Sequence, residues 1–265
     1  MSIGFIGCGN MATAIIKGII KSKTVEENEI NVFDVYAPAV EKLTAEYKIN
    51  KCESECDVVS SSDAVILAVK PNVLPQVLNK INTTLEESDT LLISIAAGKS
   101  TEFIRGALSH NNRIIRVMPN INATVGEAMC AYTANAEATE ADKQTAEAIF
   151  SGVGKVMYLD ENYFPLFGVI GGCGPAFAYM FIDAMARAGV KNGMKKDTAL
   201  MVAAQTVLGS AKMILDSSEH PWELIDKVCS PGGTTIEAVT SLQADGFESA
   251  IHNAIDKAVD KDSKL

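Results

Sequence analysis

Short apolar runs rich in β-branched residues alternate with amphipathic stretches through roughly the first 160 residues of the chain. The runs predict strands at 3–6, 30–34, 64–69, 91–95 and 114–118, with a further pair at 128–132 and 155–158. Helical stretches lie between them at 11–21, 38–47, 73–81, 101–108 and 139–150. Strands that alternate with helices imply a mostly parallel sheet, because parallel neighbours need a long crossover and the crossing helices then cover both faces. Beyond residue 160 the strand signal stops, and 175–190, 196–215, 221–227, 234–244 and 247–260 all read as helices. The first two are apolar on most sides, which a lone surface helix would not tolerate, so they are expected to pack in a bundle or against a second subunit. The predicted organisation is an α/β domain over 1–160 and an all-α domain over 161–265.

Residues 164–182 carry no charge over a length near the roughly 20 residues that a bilayer requires. Pro165, Pro175 and four glycines crowd its first part, so the expectation is a Gly-rich loop feeding a buried helix that starts near Pro175. Composition adds little to this. With 265 residues, 48% hydrophobic and 21% charged, this is ordinary folded-protein usage. Asp+Glu 33 against Lys+Arg 23 gives a formal charge of -10, which repels phosphate backbones and anionic surfaces, so neither nucleic acid nor membrane is an expected partner. Three histidines lie far apart and form no Cys/His cluster, so no metal site is expected. The six cysteines include no CxxC pair, and the opening MSIGFIGCGNM is no basic, apolar leader; both point to reduced thiols in the cytoplasm.

Candidate chemistry begins where strand 3–6 runs into Gly7-Cys8-Gly9-Asn10-Met11-Ala12 and then a helix. This is G-x-G-x-x-A at the first turn of a βαβ unit, the setting that a dinucleotide fingerprint requires. Gly7 permits the tight turn, Gly9 lets backbone approach a pyrophosphate, and Ala12 allows close packing of helix on strand. Ile6 through Met11 are therefore expected to border the cofactor. Asp34 ends the second strand with no arginine nearby; a carboxylate there accepts from the 2′-OH of NADH and repels the 2′-phosphate of NADPH. The alternative is a strand end that merely faces solvent. Three more strand ends should open on the same edge: Ala68-Val69-Lys70-Pro71, Ser94 to Gly98 with Ala96, and Arg116-Val117-Met118-Pro119-Asn120. Arg116 and Lys70 could instead be structural ion-pair residues, and Cys8, with no base beside it, is a small packing residue rather than a nucleophile.

In the helical half, Cys229-Ser230-Pro231-Gly232-Gly233-Thr234-Thr235 stands between two helices. Unpaired N–H groups converge at such a helix start and the hydroxyls add donors, which suits a substrate carboxylate; a plain helix start is the other reading. With GFIGCGNM, AVKP, SIAAG, RVMPN, GPAF and CSPGGTTIEAV in place, essentially the whole chain resembles the pyrroline-5-carboxylate reductase family. The resemblance implies a Rossmann domain followed by a helical domain that interlocks in a homodimer, assembled further into a ring such as a decamer. It implies reduction of the cyclic imine 1-pyrroline-5-carboxylate to proline with NADPH or NADH, Asp34 leaning towards NADH. It also implies that Ser230, Gly232, Gly233 and Thr234 hold the substrate carboxylate and that the Thr235 hydroxyl meets the ring nitrogen. Lys70 and Asn120 would edge the nicotinamide and the substrate, with Met118-Pro119 as an apolar wall. Where the family shows Ser-Gly-Ser-Gly-Pro, this chain has Gly171-Gly172-Cys173-Gly174-Pro175, so two hydroxyls are missing. Competing readings are a β-hydroxyacid dehydrogenase or other imine reductase of the same plan, and a non-catalytic dinucleotide sensor.

Overall fold

The structure, a computed structural model, describes residues 1–262. Strands β1 (Ile3–Ile6), β2 (Ile30–Phe33), β3 (Asn50–Lys51), β4 (Ala64–Leu67), β5 (Leu91–Ser94), β6 (Ile114–Met118), β7 (Ala128–Ala134) and β8 (Gly154–Tyr158) form one sheet in the order β3-β2-β1-β4-β5-β6-β7-β8. Every pairing is parallel except β6 with β7. Strands β1, β4 and β5 are buried at each residue, which is why they read as unbroken apolar runs and not as alternation.

Helices α1 (Asn10–Ser22) and α6 (Glu140–Ser151) cover one face, with Ile15, Ile16, Ile19, Ile149 and Phe150 in its core. Helices α3 (Glu55–Ser60), α4 (Leu74–Glu86) and α5 (Thr101–Gly106) cover the other through Val58, Leu74, Leu78, Ile81 and Ile104. Between β2 and β3 runs α2 (Ala37–Glu46), which buries Val40 and Leu43. The fold is thus the expected doubly wound sheet. Its order reverses between β1 and β4, and ligands of such sheets bind at that point, beyond the carboxyl ends of the strands. Sequence reading missed β3 and α3, a two-residue strand and a six-residue helix too short to carry a period.

The segment expected to be a Gly-rich loop is helical instead. Helix α7 (Phe164–Phe167) is followed by a π-helical turn at Gly168–Cys173 and then by α8 (Gly174–Lys191). None of these glycines reverses the chain, and Gly168 serves close packing, since a Cβ there would lie 3.2 Å from Met118 Sδ. The chain divides into two compact units, Met1–Gly172 and a second beginning at Cys173.

Within the second unit, α8 packs on α9 (Lys196–Asp216) through Ile182, Ala186, Ala199 and Ala203, and α10 (Pro221–Val228), α11 (Thr234–Ala244) and α12 (Phe247–Asp262) follow. The expectation of a buried helix near Pro175, here α8, does not hold within one chain, and α9, expected to pack in a bundle or against a second subunit, is equally open. Ala186, Ala199 and Ala203 are the only buried residues on them, while Met180, Met201, Leu208 and Leu215 are all more than half exposed. A helix pair has too few facing positions to cover two stripes this broad, so the remaining apolar surface stays outside. By length and composition alone, the helical segments Glu161–Lys191 and Lys196–Asp216 would suffice to cross a membrane.

Candidate active site

A crevice of about 400 Å³ opens beyond the carboxyl ends of β1, β4, β5 and β6. It is lined by Gly9, Asn10, Met11 and Ala12 from the first turn and by Ala68, Val69, Lys70 and Pro71 after β4. Ile95, Ala96 and Ala97 after β5, and Arg116 to Pro119 on β6, complete it. The structure therefore brings together four strand ends that the sequence placed on one edge. Ile6, Gly7, Cys8, Asp34 and Asn120, expected at the site, do not line the crevice itself; they build its rim and its support.

The glycine turn shows how. Gly7 has φ of 102°, and a Cβ there would stand 2.6 Å from the Ala68 carbonyl oxygen, so the turn requires glycine. Its N–H donates to the Phe33 carbonyl at 2.8 Å. The N–H of Cys8 donates to Asp34 Oδ2 at 2.7 Å, and that of Tyr36 to Oδ1 at 2.8 Å. Asp34 thus folds back on the turn and does not merely face solvent. Because these N–H groups are taken, neither Gly7 nor Cys8 has one left for a diphosphate. The N–H groups of Asn10, Met11 and Ala12 have no protein partner among the described residues, and Gly9 supplies no side-chain cap. A Cβ on Gly9 would meet nothing within 4 Å, which leaves room for a ligand to approach the backbone. The turn fits the diphosphate of a dinucleotide. Burial and the neighbouring Asp34 push the Cys8 thiol up to about 12, so it is inert.

Sequence reading placed Arg116 in a strand end on this edge, with a structural ion pair as its other reading, and it is the buried cation of the crevice wall. Its Nη1 donates to Glu161 Oε1 at 2.9 Å, and its guanidinium lies 4.5 Å from the Phe164 ring centroid. The same carboxylate accepts the Thr101 N–H at 2.9 Å and the Thr101 hydroxyl at 2.7 Å. Burial pushes the Glu161 carboxyl up, but the hydrogen bonds from Arg116 and Thr101 outweigh it and hold the group below its ordinary range. Alternation along β6 was the available signal, since every second residue must share a face. Lys70 is exposed and has no ion-pair partner among the described residues. Asn120 is buried; its Nδ2 donates to the Gly171 carbonyl at 2.9 Å, and its Oδ1 is buried without a partner among the described residues. The donor end of its amide is thus committed to the chain, while the acceptor end is not.

In the second unit, Ser230-Pro231-Gly232-Gly233 forms a turn closed by the Gly233 N–H on the Ser230 carbonyl at 3.0 Å, with proline second and Gly232 at φ 67° third. The turn delivers Gly233 as the N-cap of α11, again with no side-chain cap. The N–H groups of Thr234, Thr235 and Ile236 are unpaired among the described residues, and so is the exposed Thr235 hydroxyl. At α3, α5, α6 and α10, by contrast, Ser54, Ser100, Thr139 and His220 each accept an N–H with the side chain, while α2, α4, α8 and α9 share the lack of a side-chain cap. No cluster of metal-binding side chains exists among the described residues.

Two family models match, one described as pyrroline-5-carboxylate reductase dimerisation over 161–265 and one as NADP oxidoreductase coenzyme F420-dependent over 2–98. A pyrroline-5-carboxylate reductase of Escherichia coli is 43% identical over 267 residues, covering 99% of this chain and 97% of that protein. Among solved structures, the pyrroline-5-carboxylate reductase of Coxiella burnetii matches with a TM-score of 0.94 at 30% identity, covering 99% of this chain and 97% of that one. A Plasmodium falciparum pyrroline carboxylate reductase with NADP bound matches at 0.86 and 30% over the same shares.

Proposed function

Because the chain belongs to the pyrroline-5-carboxylate reductase family, we propose that it reduces 1-pyrroline-5-carboxylate to L-proline with NAD(P)H, the closing step of proline synthesis. The observation that carries this reading is full-length likeness to such reductases over a chain whose crevice has the form of a dinucleotide site. Bound there, the reduced nicotinamide would supply a hydride to the imine carbon. The chain's residues do the rest. N–H groups of Asn10 and Met11, at the positive end of α1, hold the diphosphate. Val69, Ala96, Met118 and Pro119 give the ring an apolar wall that excludes water. Residues Ser230, Gly232, Gly233 and Thr234 hold the substrate carboxylate, through hydroxyls and N–H groups without a partner among the described residues, while the Gly233 N–H closes the turn that presents them. Thr235 offers its free hydroxyl to the ring nitrogen. A protonated imine is already electrophilic, so positioning replaces a strong base, in keeping with a crevice lining that holds no histidine among the described residues.

NADH is the preferred donor in this reading. Asp34 keeps a carboxylate just past the end of β2, held in place by two N–H groups, where a 2′-phosphate would have to sit. Helices α8 and α9 lie in the region that the dimerisation model matches, so their exposed apolar faces are subunit surfaces and not membrane spans. The dimer would assemble further into a ring such as a decamer. Six unpaired thiols suit the reducing cytoplasm. Steady-state assays following loss of reduced nicotinamide absorbance test the whole reading. We expect pyrroline-5-carboxylate-dependent turnover with kcat/KM at least about tenfold higher for NADH, the ratio narrowing in Asp34→Ser. No turnover with either donor refutes the activity, and a strong NADPH preference refutes the role of Asp34.

A further inference from the structure

Strand β6 and the segment after Glu161 meet in matched steps. Arg116 touches Glu161 and the Phe164 ring, Met118 lies against Gly168, and Asn120 bonds Gly171. Residues 116, 118 and 120 follow the strand period of two, whereas 164, 168 and 171 are spaced about one helical turn apart. Two strand residues advance about 6.6 Å, and the helical steps of four and three residues advance about 6 Å and about 4.5 Å, so the two ladders keep roughly in step over these rungs.

The last rung has a chemical reason. In an α-helical pattern the Gly171 carbonyl accepts from the N–H four residues on, and that residue is Pro175, which has none. A half-buried carbonyl that loses its donor is destabilising. The chain answers with a π-helical turn at Gly168–Cys173 and with the Asn120 amide, 2.9 Å from that oxygen. An amide presents one donor end and one acceptor end, so this bond also fixes which way Asn120 faces.

We propose that Asn120 is a positioning residue for the reduction. By supplying the hydrogen bond that Pro175 withholds from Gly171, it seats the segment 164–171 on Met118 and fixes the Met118–Pro119 wall of the crevice. This inference rests on the reductase reading above, and its test separates the two. Steady-state kinetics and thermal midpoints are measured for wild type, Asn120→Ala, Pro175→Ala and the double variant. Loss of one seating bond is expected to lower kcat of N120A about tenfold, with the KM for pyrroline-5-carboxylate within about twofold of wild type. P175A, which adds a donor for Gly171, stays within about twofold throughout. The double variant recovers to within about threefold of wild-type kcat, because the backbone N–H gained at position 175 now satisfies the carbonyl. If N120A is too unstable to assay, the same rescue appears as a thermal midpoint higher in the double variant than in N120A. A double variant no better than N120A in both kcat and midpoint overturns the proposal, and so does a KM increase in N120A that P175A leaves untouched, which would mark Asn120 as a substrate contact. An inactive wild type instead refutes the reductase reading and leaves the midpoint arm standing.

Discussion

Strands β4 and β5 and helix α9 are each mostly apolar in sequence, with seven of eight and 12 of 21 residues, yet they end in opposite surroundings. All eight strand residues are buried, while α9 buries two of its 21. The sheet region finishes its core within one chain, with helices on both faces. The helical region buries three alanines of α8 and α9 and leaves methionines and leucines outside. The stability and the cofactor crevice of the first region are therefore properties of the subunit. The second region owes its form to whatever covers it, and the family's dimerisation region places a second copy there.

A charge on the open face should have the largest effect on this contrast. Leu208, 58% exposed on α9, is expected to tolerate Leu208→Glu in an isolated chain but not in a dimer. Sedimentation should show monomers, and activity should fall by more than about 100-fold, while cofactor titration still reports binding to the sheet region. A dimer of unchanged affinity would sink the assignment of that face. Next in size is Thr235→Val, which removes the free hydroxyl at the start of α11. We expect kcat to fall about 100-fold with the dimer and cofactor affinity intact, as befits a group that acts only on the reacting ring. The smallest effect bears on the self-sufficiency of the first region. A methyl at Gly9 meets no protein atom, so Gly9→Ala should leave the thermal midpoint of the cofactor-free protein within about 1 °C of wild type and raise the KM for NADH about tenfold. A large midpoint drop would show that the glycine serves the fold and not the ligand.

Period and punctuation made much of this legible in the sequence. Buried strands announced themselves as apolar runs, and their ends, from Gly9 to Met11 and from Ala68 to Pro71, line the crevice because a doubly wound sheet leaves them nowhere else to open. Asn50–Lys51 escaped notice because two polar residues carry no period. The glycines before Pro175 suggested a loop, since composition cannot tell a glycine that turns the chain from one that lets a helix lie close to Met118. Arg116 and Asn120 were visible as residues but not as parts. Their partners, Glu161 and Gly171, stand 45 and 51 positions away, and only the folded chain names them.

The matched ladders of β6 and residues 164–171 also govern how this stretch can change in length. Surface connections usually absorb insertions freely. One residue added between Phe164 and Gly171 would turn everything beyond it by about 100°, carrying Gly168 or Gly171 off the face that meets Met118 and Asn120. The segment can vary in side chain wherever it faces away, but its length is locked, and the wall of the crevice keeps its shape because the chain beside it cannot slip.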